Sequence, residues 1–238
     1  MQHELPHLGR LLTVVAHPDD ESFGLGALVS GFVDGGTSVS LLCFTHGEAS
    51  TLGDGEDDLR AVRAGELACA TQALGVRDVE VLDYPDGALS AVPSGTLAGQ
   101  VKSAAPGAEA VLVFDPDGIT GHPDHRAATR AALAAAADLD LPVLAWAIPR
   151  SVAAALNTEF GTAFVGRDRS DAEFELRVDR SRQLRAVRCH YSQSGANPVV
   201  WRRLERQENL EWMIVLRHRT PHVGDTIGSL EQQRGALP

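Results

Sequence analysis

The chain has 238 residues, which is enough for one large α/β domain with a sizeable core. Its 44% of apolar and 22% of charged residues are ordinary for a globular protein, and no apolar run approaches the length of a membrane span. With 21 basic and 32 acidic residues, the net charge of -11 argues against nucleic acid and anionic membranes as partners. Residues 1–6 lack the apolar segment of a secretory signal, so we expect no membrane insertion at this end.

Apolar runs alternate with helical patterns through the first 148 residues. The predicted strands cover residues 11–15, 38–44, 79–82, 110–114 and 142–148. The predicted helices cover residues 23–32, 59–74, 94–105 and 126–137. Alternation at this spacing predicts an α/β fold with a doubly wound, mainly parallel, Rossmann-like sheet.

The remaining residues, 149–238, are expected to extend the same domain as a smaller α+β carboxyl-terminal part. Their predicted helices cover residues 151–160, 179–188 and 201–211, and their predicted strands cover residues 173–178 and 212–216. No linker is long enough to require a second domain, so we predict a single domain over residues 1–238 with its core in residues 1–148. The tail from Arg217 has no clear period.

The three cysteines are Cys43, Cys69 and Cys189, and no CxxC pair is present. An odd count without a disulfide framework fits a reducing compartment, so we expect a cytoplasmic location. Cys43 lies in a predicted strand and Cys69 in a predicted helix, and both are interpreted as small buried apolar residues.

The densest cluster of titratable groups is residues 16–21, Ala-His-Pro-Asp-Asp-Glu, directly after the first predicted strand. Pro18 has no N–H for a strand ladder, so the strand should end near His17. In an open α/β sheet, ligands bind at the carboxyl ends of the strands. One imidazole and three carboxyl groups would repel one another unless a cation lies among them, which predicts a divalent metal ion.

A second motif, residues 121–125, Gly-His-Pro-Asp-His, follows the fourth predicted strand and opens a helix. His122 and His125 are three residues apart and are predicted to share one face of its first turn. One His-Pro-Asp segment alone would be interpreted as a turn with a helix cap. Two such segments, each after an apolar run, together predict one metal site.

The side chains of the two motifs offer a two-histidine, one-carboxylate ligand set: His17, Asp20 and His125. This set suits zinc and leaves a fourth position open, as in catalytic zinc sites, although Fe²⁺ or Co²⁺ would accept the same ligands. Such an ion would acidify a water molecule and polarise a carbonyl group. Asp19 and Asp20 cannot easily share the ion, and the chemistry alone does not decide which of them is the general base. His122 could stabilise an oxyanion or protonate a leaving amine, and Asp124 could orient His122.

The two motifs together resemble the LmbE/PIG-L family of zinc-dependent de-N-acetylases. The resemblance covers about the first 135 residues and touches residues 63–66, 84–87 and 189–193. It implies that zinc binds to His17, Asp20 and His125. It also implies that Asp19 is the base and that His122 faces the tetrahedral intermediate, so that both are catalytic together with Asp124.

The weaker segments of the resemblance imply substrate-binding residues. Arg63 and Asp86 would contact sugar hydroxyl groups, and His190 and Gln193 would approach the site from the carboxyl-terminal part. One position departs from the thiol-sugar branch of the family, in which a tyrosine stands where this chain has Thr120. The threonine hydroxyl is too short to act as that tyrosine does.

The expected function is therefore a cytoplasmic hydrolase that removes an acetyl group from an N-acetylated amino sugar or a related polar amide. Its partner would be a small N-acetyl sugar-like substrate, and a homo-oligomer is compatible with the sequence. Two alternatives remain: an amidase acting on a thiol-sugar conjugate, and a non-catalytic nucleotide- or sugar-binding protein. Gly24 and Gly26 match part of a dinucleotide fingerprint, but Val29 stands where its third glycine would be.

Overall fold

The computed structural model of the chain describes residues 2–52, 58–117 and 119–216. The strands β1–β7 are Arg10–Val15, Ser38–Cys43, Asp78–Val81, Ala110–Phe114, Val143–Ala147, Phe174–Arg177 and Leu210–Leu216. The helices α1–α9 are Asp20–Phe23, Gly26–Asp34, Leu59–Leu74, Ser94–Ala104, Pro123–Leu139, Arg150–Phe160, Ser181–Cys189, Tyr191–Ser194 and Pro198–Gln207. The tail from Arg217 lies outside the described residues.

The seven strands form one sheet in the order β3-β2-β1-β4-β5-β7-β6. The first five are parallel, with Val15 opposite Cys43 and Thr13 opposite Leu112. Strand β7 pairs antiparallel with both β5 and β6. The predicted doubly wound, mainly parallel sheet with a smaller α+β carboxyl-terminal part is confirmed, whereas the division at residue 148 stays a prediction.

The alternating side chains of β1 supply both faces of the sheet. Leu11 and Val15 belong to a buried cluster that includes residues of α2, α3 and α7. Leu12 and Val14 belong to a second cluster, which includes residues of α4 and the alanine-rich α5. Helices therefore cover both faces of the sheet. This is expected for a parallel sheet, because strands that are buried on both faces have mostly apolar sequences.

Strands β1 and β4 are neighbours in the sheet but are not consecutive in the chain. The chain winds outward from β1 to β3, returns to β4 and then winds in the opposite direction. The carboxyl ends of two strands separate at such a reversal, and the crevice between them is where doubly wound proteins bind ligands. The two sequence motifs follow these two strands.

The first predicted helix is divided into α1 and α2 at Gly24 and Leu25. A Cβ atom on Gly24 would lie 2.5 Å from the ring of Phe114, so only glycine lets the chain pass this close to β4. The last helix of the core also begins differently from the prediction. Helix α5 starts at Pro123, and His122 is its N-cap, outside the first turn.

A disulfide joins Cys69 of α3 to Cys189 of α7. The interpretation of Cys69 as a buried apolar residue was therefore wrong, because it is exposed at the contact between two helices. Cys43 is free and buried, as predicted. The disulfide removes the support that the cysteine count gave for a reducing compartment. No helix in the described ranges is long and apolar enough to cross a membrane.

Candidate active site

The two motifs meet at the carboxyl ends of β1 and β4. Nδ1 of His17 lies 3.3 Å from Nε2 of His125, which lies 3.1 Å from Oδ1 of Asp20. Nδ1 of His17 is also 3.6 Å from Oδ2 of Asp20. Atoms that bind a tetrahedral zinc ion at about 2.0–2.1 Å lie about 3.4 Å from one another. Two imidazole nitrogens and a carboxylate at this spacing fit such an ion.

The Asp20 carboxylate is fixed by the backbone of the first motif. Its Oδ2 accepts hydrogen bonds from the amides of Ala16 and His17 at 3.1 and 3.0 Å. Burial by itself raises the pKa of Asp20, but the charge of His125 and hydrogen bonds from both imidazoles hold that pKa well below its usual range. Asp20 is therefore a carboxylate near neutral pH, which is the form that binds a metal ion.

Two acids contact the opposite edge of the His17 ring. Nε2 of His17 lies 3.0 Å from Oδ1 of Asp86 and 3.4 Å from Oδ2 of Asp124. Burial lowers the pKa of His17, but hydrogen bonds to Asp124, Asp20 and Asp86 raise it further than burial lowers it. A cation bound between the two motifs would displace the proton of Nδ1, while the proton on Nε2 would stay hydrogen-bonded to these carboxylates. This arrangement of carboxylate, histidine and ligand position is typical of metal sites.

Asp124 is completely buried, and its side chain contacts His17, Gly87 and Leu89 instead of the predicted partner His122. Its two carboxylate oxygens also accept hydrogen bonds from the amides of Gly87 and Leu89, at 2.8 and 3.1 Å. The carboxylate thus ties the turn at residues 84–87 to His17. The contact of Asp124 with His122 is made by the backbone, because its amide donates to Nδ1 of His122 at 3.2 Å.

Asp19 stands next to the ligand candidates in an unusual backbone conformation. Its φ of 119° lies in the region that favours glycine, so surrounding contacts must hold it there. Its amide donates to Oε2 of Glu21 at 2.9 Å, and its Oδ2 accepts from Nη2 of Arg63 at 2.7 Å. Burial raises the pKa of Asp19 to about 6, although the charge of Arg63 acts in the opposite direction.

Arg63 is buried and holds the first motif to a neighbouring loop. Its guanidinium donates to the carbonyl oxygens of Gly47, at 2.5 Å, and Pro18. Its Nε has no hydrogen-bond partner among the described residues. Gly47 has a φ of 66°, and a Cβ there would lie 2.0 Å from Nη1 of Arg63, so the close contact requires glycine.

His122 is half-buried beside the ligand candidates. Its ring centre lies 5.0 Å from that of His17 and 5.2 Å from that of His125. Burial and the charges of these two histidines lower the pKa of His122. Because Nδ1 accepts the hydrogen bond from Asp124, the neutral ring carries its proton on Nε2. His122 is therefore a neutral donor next to the site.

His190 is placed differently from the prediction, because it is completely buried and does not line the cavity. Its Nε2 lies 2.6 Å from Oε1 of Glu21, the same carboxylate that accepts from the amide of Asp19. Sequence reasoning assigned no role to Glu21, although it stands within the first motif. Gln193 does line the cavity, and its Oε1 accepts from Oγ of Ser50 at 2.7 Å.

A cavity of about 500 Å³ opens at the site. We call one part of its polar lining the motif wall, which consists of Asp19, Ser50, Arg63, Asp86, His122 and Gln193. We call the aromatic part of its lining the aromatic wall, which consists of Phe23, Phe114, Trp146 and Phe164. Sequence reasoning missed the aromatic wall. The available signal was that Phe114 and Trp146 end neighbouring parallel strands, where they stand opposite each other.

Comparison with known proteins identifies relatives of this chain. The family profile described as "PIG-L: GlcNAc-PI de-N-acetylase" matches residues 12–136. A 1D-myo-inositol 2-acetamido-2-deoxy-alpha-D-glucopyranoside deacetylase of Nakamurella multipartita is 34% identical over 178 residues, covering 60% of this chain and 58% of the relative. The deacetylase of the same name from Mycolicibacterium vanbaalenii is 30% identical over 235 residues, covering 79% of this chain and 82% of the relative. The chain spans about half the length of several curated relatives that it matches.

The fold also matches solved structures. A crystal structure of the zinc-inhibited form of teicoplanin deacetylase Orf2 superposes with a TM-score of 0.68 at 19% identity. The match covers 89% of this chain and 99% of the other. At this identity, the likeness is evidence for a shared fold.

Proposed function

This chain belongs to the PIG-L family of GlcNAc-PI de-N-acetylases, and on that premise we propose that it is a metal-dependent deacetylase. Its substrate would be an N-acetylated amino sugar or a related polar amide, hydrolysed to acetate and the free amine. The observation that carries the proposal is the convergence of His17, Asp20 and His125 beside the half-buried carboxylate of Asp19. A cytoplasmic location and a homo-oligomer stay predictions.

We propose His17, Asp20 and His125 as the residues that hold the metal ion. The hydrogen bonds of Asp20 and the carboxylates behind His17 support this ligand set. When bound, a zinc ion supplies a Lewis acid that acidifies water and polarises the amide carbonyl. Fe²⁺ and Co²⁺ accept the same ligands. Asp86 and Asp124 would fix the orientation of the His17 ring.

Asp19 is the proposed general base. Its Oδ2 is engaged by Arg63, which leaves Oδ1 to take a proton from the attacking water molecule. A pKa of about 6 keeps the carboxylate mostly ionised at neutral pH and still basic enough to accept the proton. The same carboxyl group can then deliver that proton to the nitrogen of the leaving amine.

His122 is the proposed donor to the carbonyl oxygen. Its hydrogen bond from the amide of Asp124 fixes the proton on Nε2. An N–H held in place before the reaction stabilises the negative charge that develops on that oxygen. A neutral imidazole also adds no charge repulsion beside a bound cation.

We propose Arg63, Asp86 and Gln193 as contacts for the hydroxyl groups of the substrate, because all three line the cavity. His190 is instead proposed as a positioning residue. It holds Glu21, which in turn holds the amide of Asp19.

The test combines metal content with amine release. The purified protein, the His17→Ala variant and the His125→Ala variant are analysed by mass spectrometry after loading with one equivalent of Zn²⁺, Fe²⁺ or Co²⁺. Release of amine from N-acetylglucosamine and from its inositol glycoside is then measured for each metal. We expect about one ion per chain, lost in both variants, and amine release that depends on the ion. A metal-loaded protein that releases no amine from any amide would contradict the proposal. One equivalent is specified because a structural neighbour was captured in a zinc-inhibited form.

A further inference from the structure

Arg203 on α9 lines the cavity but takes no part in the proposed reaction. Its side chain is buried, with 3% of the residue exposed. Its guanidinium donates to Oε1 of Gln207, at 2.5 Å, and to the carbonyl oxygen of Phe23, and it lies 5.0 Å above the ring of Trp146. All of these partners are neutral. Among the described residues, no carboxylate lies within ion-pair distance of Arg203.

Glu211, the buried acid whose charge acts on Arg203, is paired with another cation. Oε1 of Glu211 accepts from Arg180 at 2.5 Å, and Oε2 accepts from Nε1 of Trp146 at 2.7 Å and from Gln207 at 3.1 Å. The cluster thus contains two guanidinium groups and one carboxylate. Burial lowers the pKa of Arg203 to about 10, with Glu211 opposing and Arg180 adding to this effect, so Arg203 stays charged at neutral pH.

A buried charge without a counter-ion is costly, and an anion entering the cavity would offset that cost. Arg203 lines the same cavity as the aromatic wall. The ring of Phe114 lies 5.0 Å from that of His125 and 5.2 Å from that of Trp146, on which Arg203 stacks. These two rings pack directly against Gly24, where a Cβ atom would lie 2.5 Å from Phe114 and 2.9 Å from Trp146. An apolar surface therefore separates the proposed metal ligands from the uncompensated cation.

We propose that the aromatic wall binds an apolar substituent of the substrate and that Arg203 binds a carboxylate at the far end of that substituent. The inference rests on the proposed function, because it places the substituent beside the amide that is cleaved. The carboxylate could belong to the acyl group or to the group on the sugar. Both sources offer the same chemistry to a guanidinium, a pair of parallel charge-assisted hydrogen bonds.

The experiment measures binding to the metal-loaded Asp19→Asn protein by calorimetry, so that turnover does not interfere. One pair of probes is 4-carboxyphenyl N-acetyl-β-glucosaminide and its 4-carbamoylphenyl counterpart. The other is N-glutaryl-glucosamine and the matching carboxamide. In one pair we expect the carboxylate to bind about ten- to a hundredfold more tightly than the neutral amide. The pair that shows the preference identifies the part of the substrate that carries the charge.

Variants of Arg203 test the assignment. Arg203→Met should abolish the preference, and Arg203→Lys should restore part of it. Arg202→Met is the matched control, because Arg202 is next in sequence, pairs with Glu159 and does not line the cavity. If Arg203→Met does not fold, Arg203→Gln takes its place. Equal binding of carboxylate and amide in both pairs, or a preference that survives loss of Arg203, would overturn the proposal. If the parent protein releases amine from none of the amides, the proposed function is refuted. The difference in binding between carboxylate and amide probes can still be interpreted, because it does not depend on turnover.

Discussion

The two walls of the cavity are built in different ways. Four of the six motif-wall residues, Asp19, Ser50, Asp86 and His122, come from segments that follow strands. Two of these, Asp19 and His122, belong to the two short sequence motifs. The aromatic wall is assembled from α1, β4, β5 and the segment after α6, and Arg203 joins it from α9. Local motifs can thus specify reaction chemistry, whereas the shape of the substrate is specified by contacts between distant residues.

The strongest test of the motif wall is Asp19→Ala. We expect kcat to fall by about 10²–10⁴-fold, as for loss of a general base, while the metal content stays unchanged. Amine-release kinetics and mass spectrometry measure the two quantities. Asp138→Ala, which removes an exposed aspartate of α5 outside the cavity, is the matched control. Normal turnover in Asp19→Ala would refute the base assignment, and loss of metal would make Asp19 a ligand.

The carboxyl-terminal region is tested by removing the disulfide. Cys69→Ser opens a covalent link across a sequence separation of 120 residues. We expect the free energy of unfolding to fall by about 2–5 kcal/mol, because the unfolded chain regains the entropy of that loop. Denaturant unfolding with and without a dithiol reductant measures the change, which should be the same for Cys69→Ser and for the reduced parent. Three reactive thiols in the unreduced, unfolded protein would mean that the bond is absent.

Asp124→Asn tests the support behind the metal site, because it leaves the proposed metal ligands His17, Asp20 and His125 in place. The substitution weakens the hydrogen bonds to His17, Gly87 and Leu89. Metal affinity should fall about 10–100-fold, the usual cost of losing a partner behind a ligand histidine. Competition with a chelator measures the affinity, and Asp117→Asn, on the loop after β4, is the control. Unchanged affinity would separate Asp124 from the metal site.

The smallest expected effect concerns the buried pair of His190 and Glu21. Burial lowers the pKa of His190, but the charge and hydrogen bond of Glu21 raise it by more, so the net shift is upward. The folded protein therefore binds this proton more tightly than the unfolded chain does. The resulting stability is fully present below the ordinary histidine pKa of about 6.5 and is lost as the pH rises through the higher folded value.

Thermal unfolding of the metal-free protein checks this sign. The difference in Tm between the parent and His190→Gln should be largest near pH 6 and should shrink toward pH 9. Each unit by which folding raises the pKa of His190 corresponds to about 1.4 kcal/mol in the free energy of unfolding. His7→Gln, which removes an exposed histidine, is the control. A constant difference across this pH range would mean that His190 does not gain a proton in the folded protein.

Much of the fold could be predicted because each strand carries its own signal. The run at β4 is apolar at every position, the run at residues 11–15 of β1 is interrupted only by Thr13, and each strand is followed by a His-Pro-Asp segment. The order of elements and the position of the crevice therefore follow from local chemistry. The contact of His17 with His125 could be predicted for the same reason. Each half of the contact is fixed by a strand end, and parallel strands bring such ends together.

The remaining features depend on contacts that sequence spacing does not reveal. The break between α1 and α2 arises where Gly24 meets the ring of Phe114 across the sheet. His190 directly follows a helix, a position at which the sequence pattern gives no sign of burial. The packing of α7 on α1 buries it against Glu21. Cys69 and Cys189 come together through the packing of α3 on α7. In each case, tertiary packing overrides the local pattern.

The position of the disulfide in the chain has a consequence for proteolysis. The covalent ring from Cys69 to Cys189 encloses the second motif and leaves the first motif outside it. A single peptide-bond cut anywhere inside the ring would leave both fragments linked, and the nicked protein would migrate as one chain until it was reduced. A cut between the first motif and Cys69 would instead release the fragment that carries His17, Asp19 and Asp20 from covalent linkage, leaving it held only by packing.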